Sequence, residues 1–105
     1  DKFERHDLDE PALAKLQRQL RAVNDLRKAY LVRKRVKHGV TQACYVLGFT
    51  TGGFLRLHRE SRAAEVLRGI QESVSFAGET LIINVEGSNS RFGRKLRWMR
   101  GSRIV

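Results

Sequence analysis

The apolar residues of this chain repeat with a period that changes from helical to strand-like and back, and that change limits the folds open to it. Leu13, Leu16, Leu20 and Val23 recur at spacings of three and four, one face of a helix. Asp9 precedes them as a cap, with Glu10 and Pro11 in the first turn, where acids and proline are favoured. Asn24-Asp25 ends the helix. From Lys28 to Lys37 the period drops to two: Tyr30, Val32 and Val36 alternate with Arg33 and Arg35, which predicts a strand with one buried and one wet face. His38-Gly39-Val40 makes the turn. From Thr41 to Thr50, Ala43, Tyr45, Leu47 and Phe49 share one face and Cys44, Val46 and Gly48 the other. Both faces are apolar or small, as in a central strand.

Thr50-Thr51-Gly52-Gly53 breaks the pattern. Phe54-Leu55-Arg56-Leu57 then reads as an apolar loop, the alternative being a short strand paired across the Gly-Gly turn. Ser61 to Val74 predicts a second helix, with Ala63, Leu67, Ile70 and Val74 on one face. A strand from Glu79 to Glu86 follows, with Leu81, Ile83 and Val85 inward. Gly87-Ser88-Asn89-Ser90 supplies a turn and a cap, and a short helix places Phe92, Leu96 and Met99 together. Gly101 stops it, and Ser102 to Val105 reads as a last strand. The order is α-β-β-α-β-α-β. The expected class is α+β, a small, mainly antiparallel sheet with helices on one side.

A chain of 105 residues buries about two-thirds of its unfolded surface, enough for one core. Residues 1 to 8 are expected to be a flexible segment and 9 to 105 a single domain. The start at Asp1-Lys2-Phe3 and the stop at Ile104-Val105 lead to the expectation of a piece excised from a longer protein. Cys44 is the one cysteine, so no intrachain disulfide forms and a reduced, cytoplasmic compartment fits. No apolar run approaches the roughly 20 residues that span a bilayer.

Charge narrows the choice of partner. Lysine and arginine number 21 against 11 acids, a formal net +10. The excess gathers in two stretches without acids. Residues 27 to 37 hold Arg27, Lys28, Arg33, Lys34, Arg35 and Lys37; residues 91 to 103 hold Arg91, Arg94, Lys95, Arg97, Arg100 and Arg103. Candidate anion contacts, to phosphate or lipid head group, are Arg33, Lys34, Arg35, Lys37, Arg91, Arg94, Lys95 and Arg97. The plainer alternative is a solvated surface. Candidate docking residues are Phe54, Leu55, Leu57 and Trp98, each of which would otherwise pack under a loop or half-bury as a lid. A basic helix flanked by Trp98 could lie on a membrane, although Gly93 in its middle costs about 1 kcal/mol relative to alanine.

Catalytic chemistry has little to stand on. His6, His38 and His58 are far apart and none has a second ligand at metal spacing, so neither a metal site nor a cofactor is expected. Cys44 sits in an apolar strand, where a thiol is ordinarily an inert small hydrophobe. Glu65, Glu72, Glu79 and Glu86 are spread over a helix and a strand rather than paired as acid and base. The glycines form neither a G-x-x-G nor a phosphate-binding loop. Tyr45 and Phe49 could stack RNA bases only on an uncovered sheet face.

Two resemblances bear on the parent protein. Arg27-Lys28-Ala29-Tyr30-Leu31, then Tyr45-Val46-Leu47, then the ending Ser102-Arg103-Ile104 resemble the C-terminal domain of enhanced serine sensitivity protein B, as a pattern over residues 10 to 105. The chain departs from that family in its basic Lys34-Arg35-Val36-Lys37. The run from Tyr30 to Val36 with Tyr45-Val46-Leu47-Gly48-Phe49 is similar to segments of cytosolic C-terminal domains of bacterial membrane proteins related to zinc metallopeptidases. That resemblance implies a catalytic zinc motif outside these residues. Both imply a small, appended, non-catalytic α+β domain in a bacterial protein.

The expected function is thus an accessory interaction domain without enzymatic activity. Its partner would be another protein or the rest of its own chain, with no small-molecule substrate inferred. Its charge would suit the inner face of the cytoplasmic membrane. The alternative is a nucleic-acid-binding module using the same cations on phosphates.

Overall fold

The computed structural model describes residues 3–34, 44–52 and 59–105. Arg35, Lys37, Phe54, Leu55 and Leu57 lie outside the described residues, as do His38 and His58. The elements run β1 (Phe3–Arg5), α1 (Glu10–Arg21), β2 (Leu26–Lys34), β3 (Cys44–Thr51), α2 (Arg59–Ser73), β4 (Glu79–Asn84), a 3-10 turn (Gly87–Asn89) and α3 (Ser90–Trp98).

The expected α+β class holds, as does the expected order of elements from α1 to α3. One four-stranded sheet has the order β1-β2-β3-β4. β1–β2 and β2–β3 are antiparallel and β3–β4 is parallel, which requires the α2 crossover between the last two. Asp9 caps α1, its Oδ1 accepting the Ala12 N–H at 2.9 Å. Asp25, at φ 65°, turns the chain from α1 into β2, in the left-handed region that Asp tolerates better than most residues.

The helices do not all lie on one side. Leu16, Leu20 and Val23 of the α1 region and Val66, Ile70 and Val74 of the α2 region pack on Ala29, Leu31, Tyr45, Leu47 and Phe49. Leu96 of α3, with Phe92 and Met99, packs on Tyr30, Val32, Val46 and Val85 on the opposite face. Successive strand residues point to opposite faces, so the apolar run Ala29-Tyr30-Leu31-Val32 and the two-faced β3 demand cover on both. The centre of β2 is accordingly buried on both faces, not wet on one. In β4 and just beyond it, Ile83 and Val85 are inward as expected, against the α3 side, but Leu81 is exposed and Ile82 packs on the α1/α2 core.

The ends of the chain also differ from expectation. Residues 3–5 belong to the sheet, pairing Phe3 with Lys34 and Arg5 with Val32. Phe3 is held from α3, its ring centroid 5.5 Å from that of Phe92 and its face 5.2 Å from Lys95 Nζ. One apolar residue in so short a segment gives no periodicity to read. The expected last strand is reduced to a bridge between Arg103 and Tyr30. The Leu31 N–H donates to the Ser102 carbonyl at 2.7 Å and the Ile104 N–H to the Ala29 carbonyl at 2.9 Å. β1 and residues 102–105 therefore share the outer edge of β2.

Candidate anion-binding face on helix α3

Helix α3 can approach the sheet because glycines stand at the contact. A Cβ at Gly48 would lie 2.7 Å from Leu96 Cδ1, and one at Gly93 would lie 2.8 Å from both Cβ and the carbonyl oxygen of Val85. Gly93, a cost to the helix by propensity alone, is thus what lets the helix seat. At its C-terminal end the Ser102 hydroxyl lies 2.5 Å from the Leu96 carbonyl and 2.8 Å from that of Met99. It adds a second donor to carbonyls that already accept the Met99 and Ser102 backbone N–H groups at 3.1 and 3.2 Å, closing the helix end.

With Phe92, Leu96 and Met99 turned inward, the outer side of α3 is left to cations. Arg91, Arg94, Lys95, Arg97 and Arg100 are exposed, and Trp98 is 81% exposed among them. Arg91, Lys95 and Trp98 follow at spacings of four and three, one stripe of a helix. No acid follows Glu86 in the sequence, and among the described residues Arg91, Arg94 and Arg97 make no ion pair. Arg94 and Arg97 line a groove of about 180 Å³ together with Tyr30, Thr50, Val85, Ser90 and Gly93. Two guanidinium forks beside three hydroxyl-bearing residues, Tyr30, Thr50 and Ser90, suit a phosphate group. In the sequence Thr50 and Ser90 read only as turn and cap residues; what brings them to the arginines is the crossing of α3 over the sheet.

The other basic stretch behaves differently. Arg33 shares the face of Ala29 and Leu31, away from α3. Its Nη1 donates to Asp7 Oδ2 at 3.2 Å and lies 3.9 Å from Glu4 Oε1. Tyr45 donates its hydroxyl to Asp7 Oδ1 at 2.5 Å. That hydrogen bond, foremost, holds the Asp7 carboxyl below its ordinary value. Burial first, and then the same bond, push Tyr45 up to about 12. Arg33 therefore balances carboxylates rather than heading a cationic stripe, a correction no local pattern signals because Asp7 lies far away in sequence. Lys34 is half-buried on the α3 side of β2, opposite Phe3.

The remaining sequence candidates have structural surroundings. His6 is buried, its Nδ1 accepting the Leu8 N–H at 3.4 Å; burial first, then Arg5, lower its pKa. Cys44 is half-buried at the start of β3. Among the described residues no group of three His, Cys, Asp or Glu side chains could hold a metal, and no helix is long and apolar enough to cross a membrane. A larger cavity, about 440 Å³, opens where α1 ends against α2. Asp25, Glu65 and Glu72 accompany Arg68 in its lining, a mixture that would not attract a polyanion. No family model matches the chain, and no curated protein or solved structure is significantly similar to it.

Proposed function

We propose that this chain is a non-catalytic binding module whose α3 face docks on nucleic acid, with Arg91, Arg94, Lys95 and Arg97 on phosphates and Trp98 against an unpaired base. The observation that carries this reading is the division of α3. Its apolar residues are spent on the core, and its outer side pairs unbalanced cations with an exposed indole. An aromatic platform beside a cationic track is how single strands are held without sequence preference. A duplex conceals its base faces, so it would use the cations alone.

An anionic membrane leaflet would attract the same charges. An interfacial helix, however, buries an apolar face in the bilayer, and here that face already meets the sheet, leaving Trp98 as the apolar group α3 has to insert. A cytoplasmic, bacterial setting and attachment to a larger protein belong to the same reading, in keeping with the resemblances drawn from the strand segments. The test is a side-by-side salt titration of binding to single-stranded RNA, duplex DNA and anionic vesicles. Tightest binding to the single strand, falling linearly in log affinity against log salt, supports the proposal. Binding to vesicles alone, or to none of the three, overturns it.

A further inference from the structure

We infer that the free edge of β4 is a self-association surface, on which two copies of this chain pair β4 with β4, antiparallel, about a two-fold axis through Leu81. The sheet has two edges, and they are treated differently. The outer edge of β2 is occupied from Ala29 to Lys34, by β1 and then by residues 102–105. β4 ends the strand order and, among the described residues, pairs with β3 alone. An unpaired edge offers a row of backbone donors and acceptors to any incoming strand, and stable monomers blunt it with charged side chains (lysine above all), proline or a bulge. β4 reads Glu-Thr-Leu-Ile-Ile-Asn, with no lysine, proline or bulge and its one charge, Glu79, at the first residue. Leu81 is 58% exposed, one of two large apolar side chains left open among the described residues.

Charge selects a second copy as the occupant. Two chains of net +10 repel over most of their surfaces. From Gly69 to Ser90, however, the sequence contains no lysine or arginine, while Glu72, Glu79 and Glu86 all fall there. The edge strand therefore lies on the longest stretch free of lysine and arginine. The next, residues 38–55, holds the central strand β3, so β4 is where two such molecules can meet without cations from the strand itself.

The register is self-complementary. A two-fold axis normal to the sheet keeps each face continuous only when facing residues share a parity. With Leu81 opposite its own copy, Thr80 faces Ile82 and Glu79 faces Ile83. The exposed leucines cover one another, and the two Glu79 carboxylates sit at opposite ends of the paired segment. The four strands of each copy then join in one continuous sheet. The same axis leaves both α3 helices on one side, so the dimer would present two basic faces in the same direction.

Sedimentation velocity at about 100 μM chain tests this, since a dissociation constant of ~10 μM would leave most chains paired. The wild type should sediment as a dimer, and hydrogen exchange of the 79–84 amides should slow as concentration rises. Leu81→Lys and Glu79→Lys, both at exposed positions, should be monomeric with unchanged circular dichroism. Trp98→Ala should remain dimeric. A wild type that stays monomeric, a dimer that survives both lysine variants, or one that dissociates on Trp98→Ala would overturn the inference. None of these readouts involves nucleic acid, so it can fail while the α3 proposal stands, and the reverse.

Discussion

Gly93 in α3 lies so close to Val85 that an added methyl group would meet both the Cβ and the carbonyl oxygen of Val85 at 2.8 Å. Backbone oxygen cannot rotate away as a side chain can, so the helix itself would have to lift. Lifting α3 would loosen Leu96 from Gly48 and move the arginines that line the groove with Thr50.

Gly93→Ala is therefore expected to destabilise the fold, although alanine favours a helix by about 1 kcal/mol over glycine. Overpacking at a tight contact typically costs ~1–3 kcal/mol, and here the steric clash outweighs the gain in helix propensity. Urea denaturation would show a lower midpoint; an unchanged or raised midpoint would mean that α3 is not seated this closely.

Ser102→Ala removes the hydroxyl that serves the carbonyls of Leu96 and Met99 at the end of α3. Both carbonyls keep a backbone donor, Leu96 the Met99 N–H and Met99 the Ser102 N–H, so the loss is that of the hydroxyl's own hydrogen bonding, ~0.5–1.5 kcal/mol. The unfolding free energy from urea titration should fall by that amount, and hydrogen exchange at the last turn of α3 should quicken.

The Tyr45–Asp7 pair predicts how stability depends on pH. Tyr45 is raised from 10.0 to about 12, so its contribution is complete below pH 10 and lost as pH rises through about 12. Asp7 is lowered from 3.8, so its contribution is complete above that value and lost as pH falls through the lowered one. His6, lowered from 6.5 by burial, adds a share that is complete above pH 6.5 and declines as pH falls through its own lowered value. Urea midpoints measured across pH should thus be highest between about 6.5 and 10. Tyr45→Phe should abolish the alkaline limb, weaken the most acidic one and leave the His6 limb in place.

Arg94→Glu with Arg97→Glu should weaken single-strand binding and flatten its salt dependence. Each phosphate contact contributes about 0.7 to the slope of log affinity against log salt, so losing both should reduce the slope by about 1.4. Thermal stability should not fall, because both side chains are exposed. An unchanged slope would place the phosphate contacts elsewhere.

Trp98→Ala separates stacking from charge. Affinity for single-stranded RNA should drop by ~1–3 kcal/mol, the worth of one stacked base, with the salt slope and duplex binding unaltered. Equal losses on single strand and duplex would remove the stacking role from Trp98.

Much of this was legible from local spacing. The periodicity of Leu13, Leu16 and Leu20 located α1, and Asp9 its start. The apolar content of both faces marked β3 as central, and the spacing of Phe92, Leu96 and Met99 put them together on one face of the third helix. Those signals are local: capping, helix face and strand alternation are decided within a few residues, by groups that must be paired or buried wherever the element ends up.

Tertiary structure decided the rest. Arg33 and Arg94 look alike in sequence, as basic residues in acid-poor stretches, yet Arg33 meets Asp7 and Glu4 whereas Arg94 meets neither. The difference arises because β1 folds back on β2 and brings the acids of residues 4 and 7 to one strand end only. Which face α3 would cover, and that Gly48 and Gly93 exist to admit it, likewise followed from assembling the sheet. Local pattern determined which residues each element would bury; only packing, which brings distant charges and close-fitting backbones together, determined which cations were left for a partner.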